Sequence, residues 1–182
     1  MSGRIQRKNM KQIRDERISR DVLRCGSDIL YSEQFKKAAY ETHHLQSSVY
    51  DHSITVCITS VQICLFLQKL GFRINEKDLI HASLCHDLGM IGRRKKFRKR
   101  TDAWQRHAND SASIAHKLIP DLSENAESMI RTHMWPVSGS PPHSREAIIL
   151  NAADKYSSVA DWVYFLTGKR PGEKIRKELE SE

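Results

Sequence analysis

The chain has 182 residues, of which 39% are hydrophobic and 29% charged, enough apolar mass for one real core and too much for a disordered polypeptide. No uncharged apolar run reaches about 18 residues and no apolar stretch opens the chain, so neither a membrane span nor a secretory leader is expected; eight glycines and five prolines also exclude collagen-like and low-complexity chains. The net charge is +8, yet residues 1–26 carry 8 basic and 3 acidic groups and residues 93–100 (RRKKFRKR) carry 7 basic and none acidic, which leaves a mildly acidic body and suggests a local phosphate-attracting rim or a solvated loop rather than a uniformly basic nucleic-acid surface.

Almost every segment reads helical, and no alternating strand run stands out. Residues ~5–24 are polar with sparse apolar positions (Ile5, Ile13, Ile18, Val22), an extension or a peripheral helix. Ser32 can cap a helix through ~44 with Phe35, Ala38 and Ala39 inward. The strongest helix spans ~48–70, where Val49, Val56, Ile63, Phe66, Leu67 and Leu70 recur at helical spacing before Gly71. Asn75 begins another, running to about Asp87 and closed by Gly89; a charged loop covers 88–101. Further helices are predicted over ~103–119, over ~122–134 behind an Asp121/Glu124 capping box, and over ~145–166 between Ser144 and Gly168. PVSGSPPHS is a loop, and the tail after Pro171 holds one short polar helix. The prediction is an all-α single-domain bundle of six or seven helices. Cys25, Cys57, Cys64 and Cys85 form no C-x-x-C pair and read as small buried hydrophobes in a reducing cytoplasm.

Several predicted helices carry a metal-competent residue on an apolar face. His52 follows Val49 by three and precedes Val56 by four; His86 and Asp87 end the next helix; His133 follows Met129 and Ile130; Asp154 follows Leu150 by four; His107 precedes Ile114 by seven. Burying an ionised carboxylate is very costly unless it is paired or bound to a cation. Imidazole nitrogen with carboxylate oxygen suits divalent iron, manganese or zinc, and the lack of cysteine argues against a closed structural zinc site. His116 competes with His107 for the inward direction, because nine residues are two and a half turns and the two must face opposite ways. His43, His44, His81 and His143 lie on no convergent face and read as surface or supporting groups.

The order His52, His86–Asp87, Asp154 resembles the HD superfamily of metal-dependent phosphohydrolases, with YDHSITV, HASLCHDLGMIG and NAADKYSS similar to its three signature segments. HANDSASIAHKL and IRTHMWP resemble the family's later histidine segments and place His107 and His133. The resemblance covers roughly residues 45–160, and the order H–HD–H–H–D is similar to the two-metal subset. It implies an HD-type helical bundle over 27–168, flanked by a basic extension at 1–26 and a polar tail at 169–182. It implies that His52, His86, Asp87 and Asp154 hold one ion, that Asp87 bridges, and that His107 and His133 hold the second. Met90 departs from the pattern, since many relatives carry Lys there.

By the same resemblance the cofactor is one or two divalent ions, iron or manganese first, with nickel, cobalt, zinc or magnesium as alternatives. The expected reaction is hydrolysis of a phosphoester or phosphoanhydride in a small nucleotide-like substrate by a metal-activated hydroxide, with Asp87 as the catalytic residue. Arg93, Arg94 and Lys155 are candidates to bind substrate phosphate. Two other readings stand beside it: a di-iron HD-type oxygenase, and a basic RNA-associated module with a structural metal. Nucleic acid is the weaker partner class, and no membrane partner is expected.

Overall fold

A computed structural model describes residues 2–44, 47–93, 100–137, 140–168 and 172–181. Among these residues the chain forms eight α-helices: α1 (Ser2–Leu30), α2 (Glu33–Lys37), α3 (Val49–Lys69), α4 (Glu76–Cys85), α5 (Arg100–Leu118), α6 (Glu124–Thr132), α7 (Arg145–Thr167) and α8 (Glu173–Ser181). The all-α expectation holds. The exception is a ribbon of β1 (Thr42–His44) and β2 (Ser47–Ser48), antiparallel and too short to leave an alternating signal in the sequence.

The centre of the bundle is α3. Every residue from 52 to 61 is buried, and α4 and α7 pack along it. A helix covered on all sides carries no polar stripe, so its contacts use small residues: Ser83 on α4 donates to Ser60 at 3.1 Å. By length and composition α3 could cross a membrane, contrary to the expectation from charge-free runs, but 72% of its most apolar window is buried inside the fold. Its start is a capping box: Ser48 Oγ accepts from the Asp51 amide, and Asp51 accepts from the Ser48 amide. Its end is Leu70 followed by Gly71 at φ 89°, a conformation glycine adopts without steric cost. Phe66 and Leu70, expected inside, are exposed because the last turn projects beyond the helices that cover the earlier ones.

Other departures have local causes. The helix capped by Ser32 stops at Lys37 and tightens into a 3-10 turn over Ala38–Tyr40. With three residues per turn, Ala38 sits above Phe35 and both are buried, while Ala39 turns outward. α6 is capped by Ser123, whose Oγ accepts from the Ala126 amide at 3.0 Å; Asp121 lies two residues too early to do so. α1 runs unbroken past residue 26, and Ile18, Val22 and Ile29 pack into the core, whereas Ile13 is exposed. The tail is no free polar segment. α8 packs on α1 and buries Ile175 and Leu179, and the buried Arg176 donates to the Asp51 carboxylate (2.8 Å), the Asp51 carbonyl (2.9 Å) and Thr55 Oγ1 (2.8 Å). Cys57, Cys64 and Cys85 are buried as expected, Cys25 is half-buried, and burial pushes the Cys64 and Cys85 thiols up to about 12.

Candidate metal centre

Five helices deliver the chemistry to one interior point. His52 sits one residue beyond the Asp51 cap in the first turn of α3. His86 follows α4 directly as its C-terminal cap, and Asp87 follows in the turn that leads to a 3-10 segment over Leu88–Met90. That segment packs against α5, which carries His107. Gly89 makes the approach close: a Cβ there would collide with the His107 carbonyl and lie 2.8 Å from the Ser111 amide. The Gly89 amide instead donates to Ser111 Oγ at 2.8 Å. His133 caps α6, and Asp154 faces inward from the middle of α7.

All six side chains predicted from sequence as ligands are buried. They form two groups of three whose ligating atoms lie within 4.8 Å of one another: His52, His86 and Asp154, and Asp87, His107 and His133. His52 Nε2 lies 3.0 Å from Asp154 Oδ1, and His86 Nε2 lies 3.8 Å from that oxygen. In the other group His107 Nε2 is 3.2 Å and His133 Nε2 3.5 Å from Asp87 Oδ1, with the two nitrogens 3.1 Å apart. Asp87 faces both groups, since its Oδ2 lies 3.6 Å from His86 Nε2.

The tautomers suit cation binding. His86 Nδ1 donates to the Ser83 carbonyl at 2.8 Å, and His133 Nδ1 donates to the Ile130 carbonyl at 2.7 Å. A neutral imidazole protonated at Nδ1 points a lone pair from Nε2, here toward carboxylate oxygens. His86 Nε2 is fully buried with no hydrogen-bond partner, and burial lowers that imidazole to about 4, so it stays neutral. A buried lone pair facing two carboxylates is what a divalent cation relieves, so the residues present fit one.

His52 is held differently. Its Nδ1 lies 3.1 Å from Asp161 Oδ2, and Asp161 also accepts from Ser47 Oγ at 3.2 Å. Burial works to lower this imidazole, but the hydrogen bonds to Asp154 and Asp161 raise it to about 10. Burial alone would likewise raise the Asp154 carboxyl; the hydrogen bond and charge of His52, then His86 and His133, hold it well below the usual carboxylate range. Asp161 was not singled out from the sequence. The available signal was its spacing, seven residues after Asp154 and thus two turns along the same face of α7.

The remaining candidates divide. His116 is exposed and lies 2.9 Å from Glu127 Oε2, which leaves the inward position to His107. Lys155 is half-buried, and its Nζ donates to the His133 carbonyl (2.8 Å) and Asp154 Oδ2 (3.3 Å), bracing both groups instead of reaching outward. Arg93 is half-buried just beyond the 3-10 turn; Arg94 and the rest of the run to Lys99 lie outside the described residues. Met90 is buried in the core and offers no cation at that position. His143 is exposed as expected. His81 is a correction: it is buried on α4 and its Nε2 donates to the Cys25 carbonyl at 2.8 Å, tying α4 to α1. The side chains of His43 and His44 lie outside the described residues.

With this geometry in hand, comparison with known proteins gives one match. Residues 49–159 match the family model described as HD domain, a span from the first residue of α3 to the second half of α7. No curated protein and no solved structure matches the chain.

Proposed function

The chain belongs to the HD-domain family of metal-dependent phosphohydrolases, and from that premise we propose that it hydrolyses a phosphoester or phosphoanhydride bond in a small, nucleotide-like substrate. The observation that carries the proposal is the Asp87 carboxylate, whose Oδ2 lies toward His86 while its Oδ1 lies toward His107 and His133. One carboxylate shared by two convergent histidine sets suits a pair of divalent ions. His52, His86, Asp87 and Asp154 would hold one ion, and Asp87, His107 and His133 the other, with iron or manganese matching the nitrogen–oxygen donors. When bound, such ions supply Lewis acidity toward a phosphoryl group and lower the pKa of water from 15.7 to about 7.

The chain's own contribution is to hold that machinery in place. The Ser83 and Ile130 carbonyls keep His86 and His133 protonated at Nδ1, so both present Nε2. Asp161 holds the Nδ1 proton of His52 and turns Nε2 toward Asp154. Lys155 offsets negative charge at Asp154 through its 3.3 Å contact. Arg93, half-buried just after the HD turn, would meet a substrate phosphate with a bidentate guanidinium. The free thiols suit a reducing cytoplasm.

The test is metal analysis of protein purified without chelator, then a screen of phosphorylated metabolites with manganese or ferrous iron. Manganese-supported phosphate release under anaerobic conditions is expected. Turnover that requires oxygen would replace the hydrolase by an oxygenase, and metal-free protein with full activity would remove the metal from the reaction.

A further inference from the structure

The helix that supplies Asp154 to the centre has a second, outward face. Ile148, Tyr156, Val159, Trp162, Val163 and Leu166 are all exposed along α7, with Val159 at 63% and Leu166 at 76%. From Tyr156 the spacing is three, four and three residues through Val159, Val163 and Leu166, with Ile148 eight residues earlier and Trp162 beside Val163, which keeps them in one stripe along the helix. The stripe runs nearly the whole length of a 23-residue helix and carries three aromatic or aliphatic turns in a row at its C-terminal end. From these exposures it presents on the order of 600–800 Å² of largely apolar surface, at or above the largest patch usual on a monomer and close to what each partner contributes to a standard protein interface.

We propose that this face is the contact between two copies of the chain, packed helix to helix about a twofold axis. Three observations select a second copy. The spacing is that of helices that interdigitate along a shared seam, and a straight stripe on one helix is its own complement when a twofold reverses it. The composition is that of an interface centre, rich in Tyr, Trp and aliphatic residues. The charge is right as well: between Tyr156 and Gly168 the one ionisable carboxylate, Asp161, is buried against His52, and among the described residues Lys155 is engaged with Asp154 and the His133 carbonyl while Arg145, at the far end, lies over the Phe72 ring. Among the described residues, two copies that each carry +8 can therefore meet along the Tyr156–Leu166 part of the stripe without bringing unpaired like charges together.

Sedimentation of the full chain over a dilution series tests this. The expected wild-type mass is twice 21.0 kDa at the upper concentrations. The double variant Val159→Glu/Val163→Glu should raise the dimer dissociation constant by about 100-fold or more, because each charge is desolvated against an apolar mate. Both positions are solvent-facing, so circular dichroism and bound metal should stay as in the wild type; these two readouts separate loss of the contact from loss of the fold or of the metal centre. A wild-type monomer across the series overturns the proposal, as does a double variant that remains dimeric. So does a monomer that floats with phosphatidylglycerol vesicles, which would give the face to a lipid surface.

Discussion

The two histidine groups are built unequally. His52, His86 and Asp154 stand on α3, the end of α4 and α7, the helices that form the middle of the core, and they are braced from behind by Asp161 and Ser47. Asp87, His107 and His133 depend on the approach of α5 to the HD turn, an approach that only a glycine at position 89 allows. Both groups are buried; the first is anchored by a chain of side-chain hydrogen bonds, the second by the close approach at Gly89 and by backbone carbonyls, the Ile130 carbonyl accepting from His133 and the His133 carbonyl from Asn151 and Lys155. Asp87 links them, so the difference predicts which changes disable both groups and which disable one.

Asp87→Asn should have the largest effect. It removes the charge facing both groups, and phosphate release should fall by about 1,000-fold or more while far-ultraviolet circular dichroism stays helical. A variant that retains both metal equivalents would show that Asp87 does not join the groups. Gly89→Ala comes next. It forces α5 away from the turn at a cost of about 1–3 kcal/mol, read as a lowered denaturation midpoint. Metal bound through His107 and His133 should be lost before metal bound through His52; equal loss at both would mean that the two groups rest on the same support.

Asp161→Asn sharpens the comparison from the other side. The amide still accepts from His52 but no longer supports its proton by charge, so affinity at the His52 group should weaken about 10–100-fold with the other group unchanged. Titration with manganese followed by electron paramagnetic resonance reads the two separately. Arg93→Ala should act least, raising KM several-fold with kcat nearly unchanged if the guanidinium meets substrate phosphate. An equal fall in kcat would place Arg93 in the chemistry itself.

Much of this arrangement was legible before any coordinates. Metal-competent residues on the predicted helices singled out His52, His86, Asp87, His107, His133 and Asp154 as candidates, since a buried carboxylate needs a partner, and the resemblance to HD-type motifs joined them into one ligand set. Ser32, Asn75, Ser144, Gly71 and Gly168 marked helix ends, because capping chemistry is local. What escaped was non-local. Asp161 earns its place from a histidine 109 residues earlier, and Arg176 from Asp51, 125 residues earlier. His81 looked peripheral because its partner is a backbone carbonyl on α1. Phe66 and Leu70 kept the periodicity of buried residues on a turn that no neighbour covers.

By itself, then, the order of side chains along this chain determined a helical fold, its main helix ends and the residue types able to hold divalent ions, since periodicity, capping and burial cost act over a few residues or on one side chain. Only tertiary structure decided that Asp87 would face both groups, that Asp161 would brace His52, and that one face of α7 would be left bare. Those outcomes depend on which helices approach one another, and that is set by packing across the whole bundle.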